Sequence, residues 1–243
     1  MLNPRAEPQK ALSKVEVFEL VAGGILEDYT GKLVEQHGIG FEPNDEFTRG
    51  LRDVGAGERL LKLLLAARPG SPAARELSNT KQEELLHHLL RGTGERGKKS
   101  YPEAEREFRA ALQLDSESWA LHFVLGNLLA QQSQWGAATP EYRAALRLNA
   151  DYAVAHLALG MAFGNQGDNK EARADFQEAT RLAPDNLSAH FNLGIALEQT
   201  GDVEGAMAEY RRALTLKPDF APAHINLGGQ AGPNLILSAE EEG

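Results

Sequence analysis

The chain contains no cysteine. That absence excludes a disulfide frame, a thiolate nucleophile and any cysteine-ligated zinc, and it fits a reducing compartment. Long apolar runs are missing as well. No stretch approaches the ~18 apolar residues of a membrane-spanning helix, and Met1 to Lys10 lacks the apolar core of a signal peptide. A cytoplasmic location is the expectation. Positive charge is in deficit, with 25 Lys and Arg against 35 Asp and Glu and a net charge of -10. The resulting field repels phosphate backbones and anionic lipid, so nucleic acid and membrane surfaces are poor partners for it.

What the 243 residues do contain is internal periodicity, in a composition that is 42% hydrophobic and 25% charged, as in ordinary soluble proteins. His88, His122, His156, His190 and His224 recur every 34 residues. Around the last four stand Leu125-Gly126, Leu159-Gly160, Leu193-Gly194 and Leu227-Gly228. Further along come Ala138, Tyr142 and Ala145; then Ala172, Phe176 and Ala179; then Ala206, Tyr210 and Ala213. Pro184 and Pro218 close two of the periods. A small residue facing a large one lets two helices approach closely, and a 34-residue repeat of that arrangement is a helix-turn-helix unit.

The pattern resembles the tetratricopeptide repeat (TPR), with His where that signature prefers Trp, and with Leu129 and Leu197 replacing an aromatic. The resemblance implies an all-α fold, a right-handed superhelix of antiparallel helix pairs preceded by a small helical module. Ala153 to Asn186 and Leu187 to Phe220 are full units, and Trp119 to Tyr152 is a third, with Pro140 expected to kink its second helix. Residues 81–118 form a degenerate unit, because Gly92, Gly94 and Gly97 dilute its first helix, Glu83 to Lys98. A partial unit spans 221–228. Gly167-Asp168 and Gly201-Asp202 combine a helix stop with a cap, and Asp168 with Glu171 reads as an acidic capping box. Leu12 to Arg68 reads as four short helices within an N-terminal module spanning 1–68; 69–80, with Pro69, Gly70, Ser71 and Pro72, is a linker. Residues 229–243 read as a flexible tail that leaves an uncapped apolar edge open to self-association.

Two features invite chemistry. The run Gly92-Thr93-Gly94-Glu95-Arg96-Gly97-Lys98-Lys99-Ser100 meets the dinucleotide fingerprint literally and misses a phosphate-binding P-loop by one residue. Both motifs need a strand in front, whereas Glu84 to Leu90 reads as helix, so a nucleotide-binding protein is the alternative and not the preferred reading. The histidine column suggests a metal ladder. Equivalent side chains of stacked repeats run parallel at ~8 to 10 Å, however, while zinc needs nitrogens converging at ~2 Å. Half-buried packing histidines are expected, with neither metal nor cofactor nor catalytic residue.

The family resemblance implies that the first helix of each unit lines a concave groove that holds an extended peptide or a helix of a partner protein. The groove-side stripe is then Phe123, Asn127, Ala130 and Gln131; Leu157, Met161, Gly164 and Asn165; Phe191, Ile195, Glu198 and Gln199. Asn192 and Asn226 fall where a sugar-transferring TPR enzyme carries asparagines that hold a peptide backbone. Phe123, Leu157 and Phe191 are the expected anchors, and a non-catalytic interaction scaffold is the expected function.

Overall fold

The computed structural model describes residues 12–22, 30–31, 33–35, 38–53, 55–67 and 79–230. The described residues form helices and no strand beyond a single bridge that pairs Leu12 with Ile39. They fall into two compact units, Met1–Gln132 and Ser133–Gly243.

The first unit holds α1 (Lys14–Ala22), α2 (Asp45–Asp53), α3 (Glu58–Ala66), α4 (Asn79–Gly97), α5 (Tyr101–Leu114) and α6 (Trp119–Gln131). A reciprocal cap starts α1. The Ser13 amide donates to Glu16 Oε2 at 2.7 Å, and the Glu16 amide donates to Ser13 Oγ at 3.1 Å. The helix buries Val17, Phe18, Leu20 and Val21, packing against α2 and against both α4 and α6. Phe18 meets Phe47 of α2 edge-on at 5.9 Å.

The three glycines expected to weaken the first helix of 81–118 do not interrupt it. α4 is continuous from Asn79 and pairs with α5 as in a full repeat. The reason lies at Gly92, where a Cβ would sit 2.6 Å from the Phe108 ring. The glycine is what lets the two helices close, so its packing gain outweighs its poor helix propensity. The linker residues 69–78 lie outside the described residues, while Asn79 and Thr80 belong to α4. Three short helices of the N-terminal module are described, and residues 30, 31 and 33–35 are helical as well.

The second unit holds α7 (Trp135–Leu148), α8 (Ala153–Gln166), α9 (Asn169–Leu182), α10 (Leu187–Gln199), α11 (Val203–Leu216) and α12 (Ala221–Gln230). Each helix packs on the next, and α10 also packs on α8. Gly160 faces the Phe176 ring as Gly92 faces Phe108, and Gly194 faces Tyr210 in the same way. Ala172, Ala179, Ala206 and Ala213 are buried to 1% exposure or less, as the small-residue columns require. Pro140 is accommodated inside α7. The capping box expected at Asp168 does not form, since Asp168 is the N-cap residue of α9 but its side chain accepts no cap bond. Asn186 and Asp202 do cap α10 and α11, accepting from the amides of Ala189 and Gly205. Helix α12 runs two residues past the expected end of the repeats, to Gln230, and the rest of the tail, 231–243, lies outside the described residues.

Candidate functional site

Residues 34 apart hold equivalent places in successive repeats, so their exposures can be read as one column. Leu89 on α4 is 0% exposed and Phe123 on α6 is 3% exposed. Leu157 on α8 and Phe191 on α10 are half-buried, and Ile225 on α12 is 71% exposed. One turn further along the helices, Met161 on α8 is 43% exposed and Ile195 on α10 is half-buried. The amide side chains Gln131, Asn165 and Gln199 are exposed, while Asn127 is half-buried.

Of the three expected anchors, Phe123 is buried and Phe191 is half-buried and engaged in packing. Phe123 is buried, so it presents no surface to a partner. Phe191 is not surplus to the fold. Its ring packs on Phe220 at 5.1 Å, nearly perpendicular, and on Tyr210 at 5.8 Å. Such aromatic contacts hold α10 to the helix that follows it and to the loop beyond.

The two asparagines are likewise engaged. Asn192 Nδ2 donates to the Ser188 carbonyl one turn back, at 2.8 Å. Asn226 hydrogen-bonds the Tyr210 hydroxyl, which itself donates to Glu198 Oε2 at 2.9 Å. Burial, the Glu198 hydrogen bond and the Glu198 charge push the Tyr210 phenol up to about 12, against the Asn226 contact that lowers it. Glu198, Tyr210 and Asn226 thus form a polar clamp across α10, α11 and α12, which the sequence reading missed because its three members sit in different columns. Asn165 Nδ2 also donates within its own helix, to the Met161 carbonyl at 2.8 Å. On α8 and α10 the stripe keeps Met161 exposed and Leu157 and Ile195 half-buried, with Asn165 and Gln199 exposed on the same helices.

The histidines are packing residues with a specific task. His156 Nδ1 bonds Asp175 Oδ1 at 2.8 Å and its Nε2 lies 3.2 Å from the Ala150 carbonyl. His190 repeats this with Glu209 at 2.6 Å and the Pro184 carbonyl at 3.0 Å, and His88 bonds Glu107 at 2.7 Å. His122 and His224 reach the carbonyls of Ser116 and Pro218. Each ring therefore ties a first helix to the preceding loop, to its own second helix, or to both. The carboxylates stand 19 residues on, a spacing visible in the sequence but meaningless before the helix pair is known. No group of three metal-ligating side chains converges among the described residues.

The glycine-rich run is helix and turn, not a phosphate cradle. Gly92 to Gly97 belong to α4, and Lys98 to Ser100 make the turn into α5 with Lys99 in the left-handed region at φ 62°. No helix among the described residues is long and apolar enough to cross a membrane.

Paired helices in 34-residue register define an all-α helical-repeat protein. Known proteins agree: a family model described as "Tetratricopeptide repeat" matches residues 157–220, and one described as "TPR repeat" matches 126–167. A crystal structure of MamA is similar at 22% identity, covering 61% of this chain and 81% of that one, with a TM-score of 0.59. A second similar structure is YrrB, described as "a TPR protein with an unusual peptide-binding site", at 21% identity, 86% and 96% coverage and a TM-score of 0.54. No curated protein matches the chain. Residues 126–220 are thus tetratricopeptide repeats, within an all-α helical-repeat fold.

Proposed function

We propose that the protein is a non-catalytic scaffold that holds a segment of a partner protein on the groove-side stripe of its second unit. The carrying observation is Met161, a large apolar side chain 43% exposed on a helix whose own packing is complete through Ala155, Leu159, Ala162 and Phe163. Leu157 and Ile195 extend that surface, and Asn165 and Gln199 supply polar groups at its edge. Apolar residues in contiguous array with polar neighbours are the usual composition of a protein contact surface. That one similar structure is described as having a peptide-binding site supports the same reading. Repeat proteins of this class mediate protein–protein interactions. The net charge of -10 favours a partner segment of low or positive charge.

Burying one such side chain contributes ~1.5 to 3 kcal/mol, so Met161→Glu or Ile195→Glu is expected to weaken a captured partner by tenfold or more. The exposed Arg211 serves as the control position. A partner retained equally by the wild type, Met161→Glu and Arg211→Ala chains, all with unchanged melting temperature, would place the contact elsewhere.

A further inference from the structure

We infer that the first unit holds a small-molecule site between α1, α2 and α4, and that its ligand is a free apolar α-amino acid. This goes beyond the scaffold reading and does not depend on it. A cavity of about 360 Å³ lies between the three helices, towards the lower end of the range for small-ligand sites. Three helical faces converge on it. α4 brings Glu83, Leu86 and Leu90, at i, i+3 and i+7; α1 brings Lys14 and Phe18, at i and i+4; and α2 brings Phe47. Leu85 and Leu89 of α4 are 0% exposed, whereas Leu90 is 40% exposed, although Val124, its counterpart 34 residues on, is 0% exposed. Leu90 thus leaves an apolar wall open at the cavity where the equivalent residue of the next repeat is used up by packing.

The polar groups of the cavity carry both signs. Lys14 makes no ion pair among the described residues, and its ammonium lies 5.8 Å from the centre of the Phe41 ring. Glu83 likewise makes no ion pair or hydrogen bond among the described residues, so the two charges do not neutralise each other. Asn44 caps α2 through its Oδ1, which accepts the Phe47 amide at 2.8 Å, and this leaves its Nδ2 as a donor at the cavity. His87 lines the cavity as well and can donate or accept. A matching ligand carries an anionic group for Lys14 and Asn44, a cationic group for Glu83 and an apolar body for Phe18, Phe47, Leu86 and Leu90. A plain carboxylic acid leaves Glu83 unmatched, and a plain amine leaves Lys14 unmatched. The zwitterion of an α-amino acid with an aromatic or branched side chain answers all three.

The test titrates the full-length chain calorimetrically with L-phenylalanine and L-leucine, and with the analogues of each that lack one charge. These are 3-phenylpropionate and 4-methylpentanoate, without the ammonium, and 2-phenylethylamine and 3-methylbutylamine, without the carboxylate. Saturable binding of at least one amino acid is expected, with both of its analogues at least about tenfold weaker, because a site that hydrogen-bonds a group rejects the ligand lacking it. Lys14→Met should weaken the amino acid at least about tenfold. Glu83 is exposed, so Glu83→Gln spares the fold; it should weaken the amino acid while leaving the affinity for the acid analogue unchanged, a split that a merely structural role would not produce. Arg211→Ala, at an exposed position of the second unit, is the control. An acid analogue that binds as tightly as its amino acid would overturn the amino-acid assignment. Equal affinity in the wild-type, Lys14→Met and Glu83→Gln chains would overturn the site, and so would the absence of saturable binding of either amino acid.

Discussion

His156 Nδ1 lies 2.8 Å from Asp175 Oδ1 while its Nε2 lies 3.2 Å from the Ala150 carbonyl, so both ring nitrogens face groups that only accept. A neutral imidazole donates once; an imidazolium donates twice. Burial lowers the pKa of this histidine, but the Asp175 hydrogen bond, the Ala150 carbonyl and the charges of Asp175 and Glu178 together raise it above 6.5. The repeat pair α8/α9 is therefore held by a charge-assisted contact that depends on pH.

The sign follows from the raised value. Protons bind the folded state more tightly, so the contribution is complete below about 6.5 and is lost as pH rises through the folded pKa. His156→Gln is expected to destabilise by about 1 to 2 kcal/mol at pH 6, and the gap to wild type should narrow towards pH 9. Urea unfolding at a series of pH values measures this. A gap that widens with pH would refute the assignment.

Gly160 and Gly164 share α8 but differ in what surrounds them. A Cβ at Gly160 would lie 2.6 Å from Phe176, whereas at Gly164 it meets nothing within 4 Å. Gly160→Ala should cost about 1 to 3 kcal/mol through overpacking, although alanine is the better helix former. Gly164→Ala should stabilise by up to about 1 kcal/mol. Opposite shifts in urea midpoint are the expected readout.

Lys99, Ser133, Gly167 and Gly201 stand 34 residues apart, and all four adopt the left-handed conformation, with φ of 62°, 58°, 84° and 87°. Lys99, Gly167 and Gly201 each stand in the turn between two helices that pack as a pair. A residue with a Cβ there costs roughly 1 kcal/mol, so Ser133→Gly should raise stability by about that amount and Gly167→Ser should lower it. Calorimetry that moved both variants the same way would contradict this account.

Helix α4 runs through Gly92, Thr93, Gly94, Glu95, Arg96 and Gly97, which leaves their amides in helical bonds instead of aimed at a phosphate. No saturable ATP or NAD binding is expected by isothermal titration. Binding that disappeared in Lys98→Ala with the fold intact would restore the nucleotide reading.

The repeat period, the helix pairing and the helix stops at Gly167 and Gly201 were legible in the sequence because they are local consequences of side-chain size recurring at a fixed spacing. The stripe was legible only as register. Nothing in the sequence distinguishes Phe123 from Leu157, since both are apolar residues in one column, yet the first is 3% exposed and the second half-buried. Which of them is buried depends on neighbours that only folding brings to it. The same holds for Phe191, whose neighbours Tyr210 and Phe220 are brought to it by folding, and for Asn226, which answers to the Tyr210 hydroxyl. Periodicity dictates what each repeat is built from. Tertiary packing alone decides which of its equivalent side chains are used up by the fold and which are left for a partner, because burial is a property of neighbours and not of the residue.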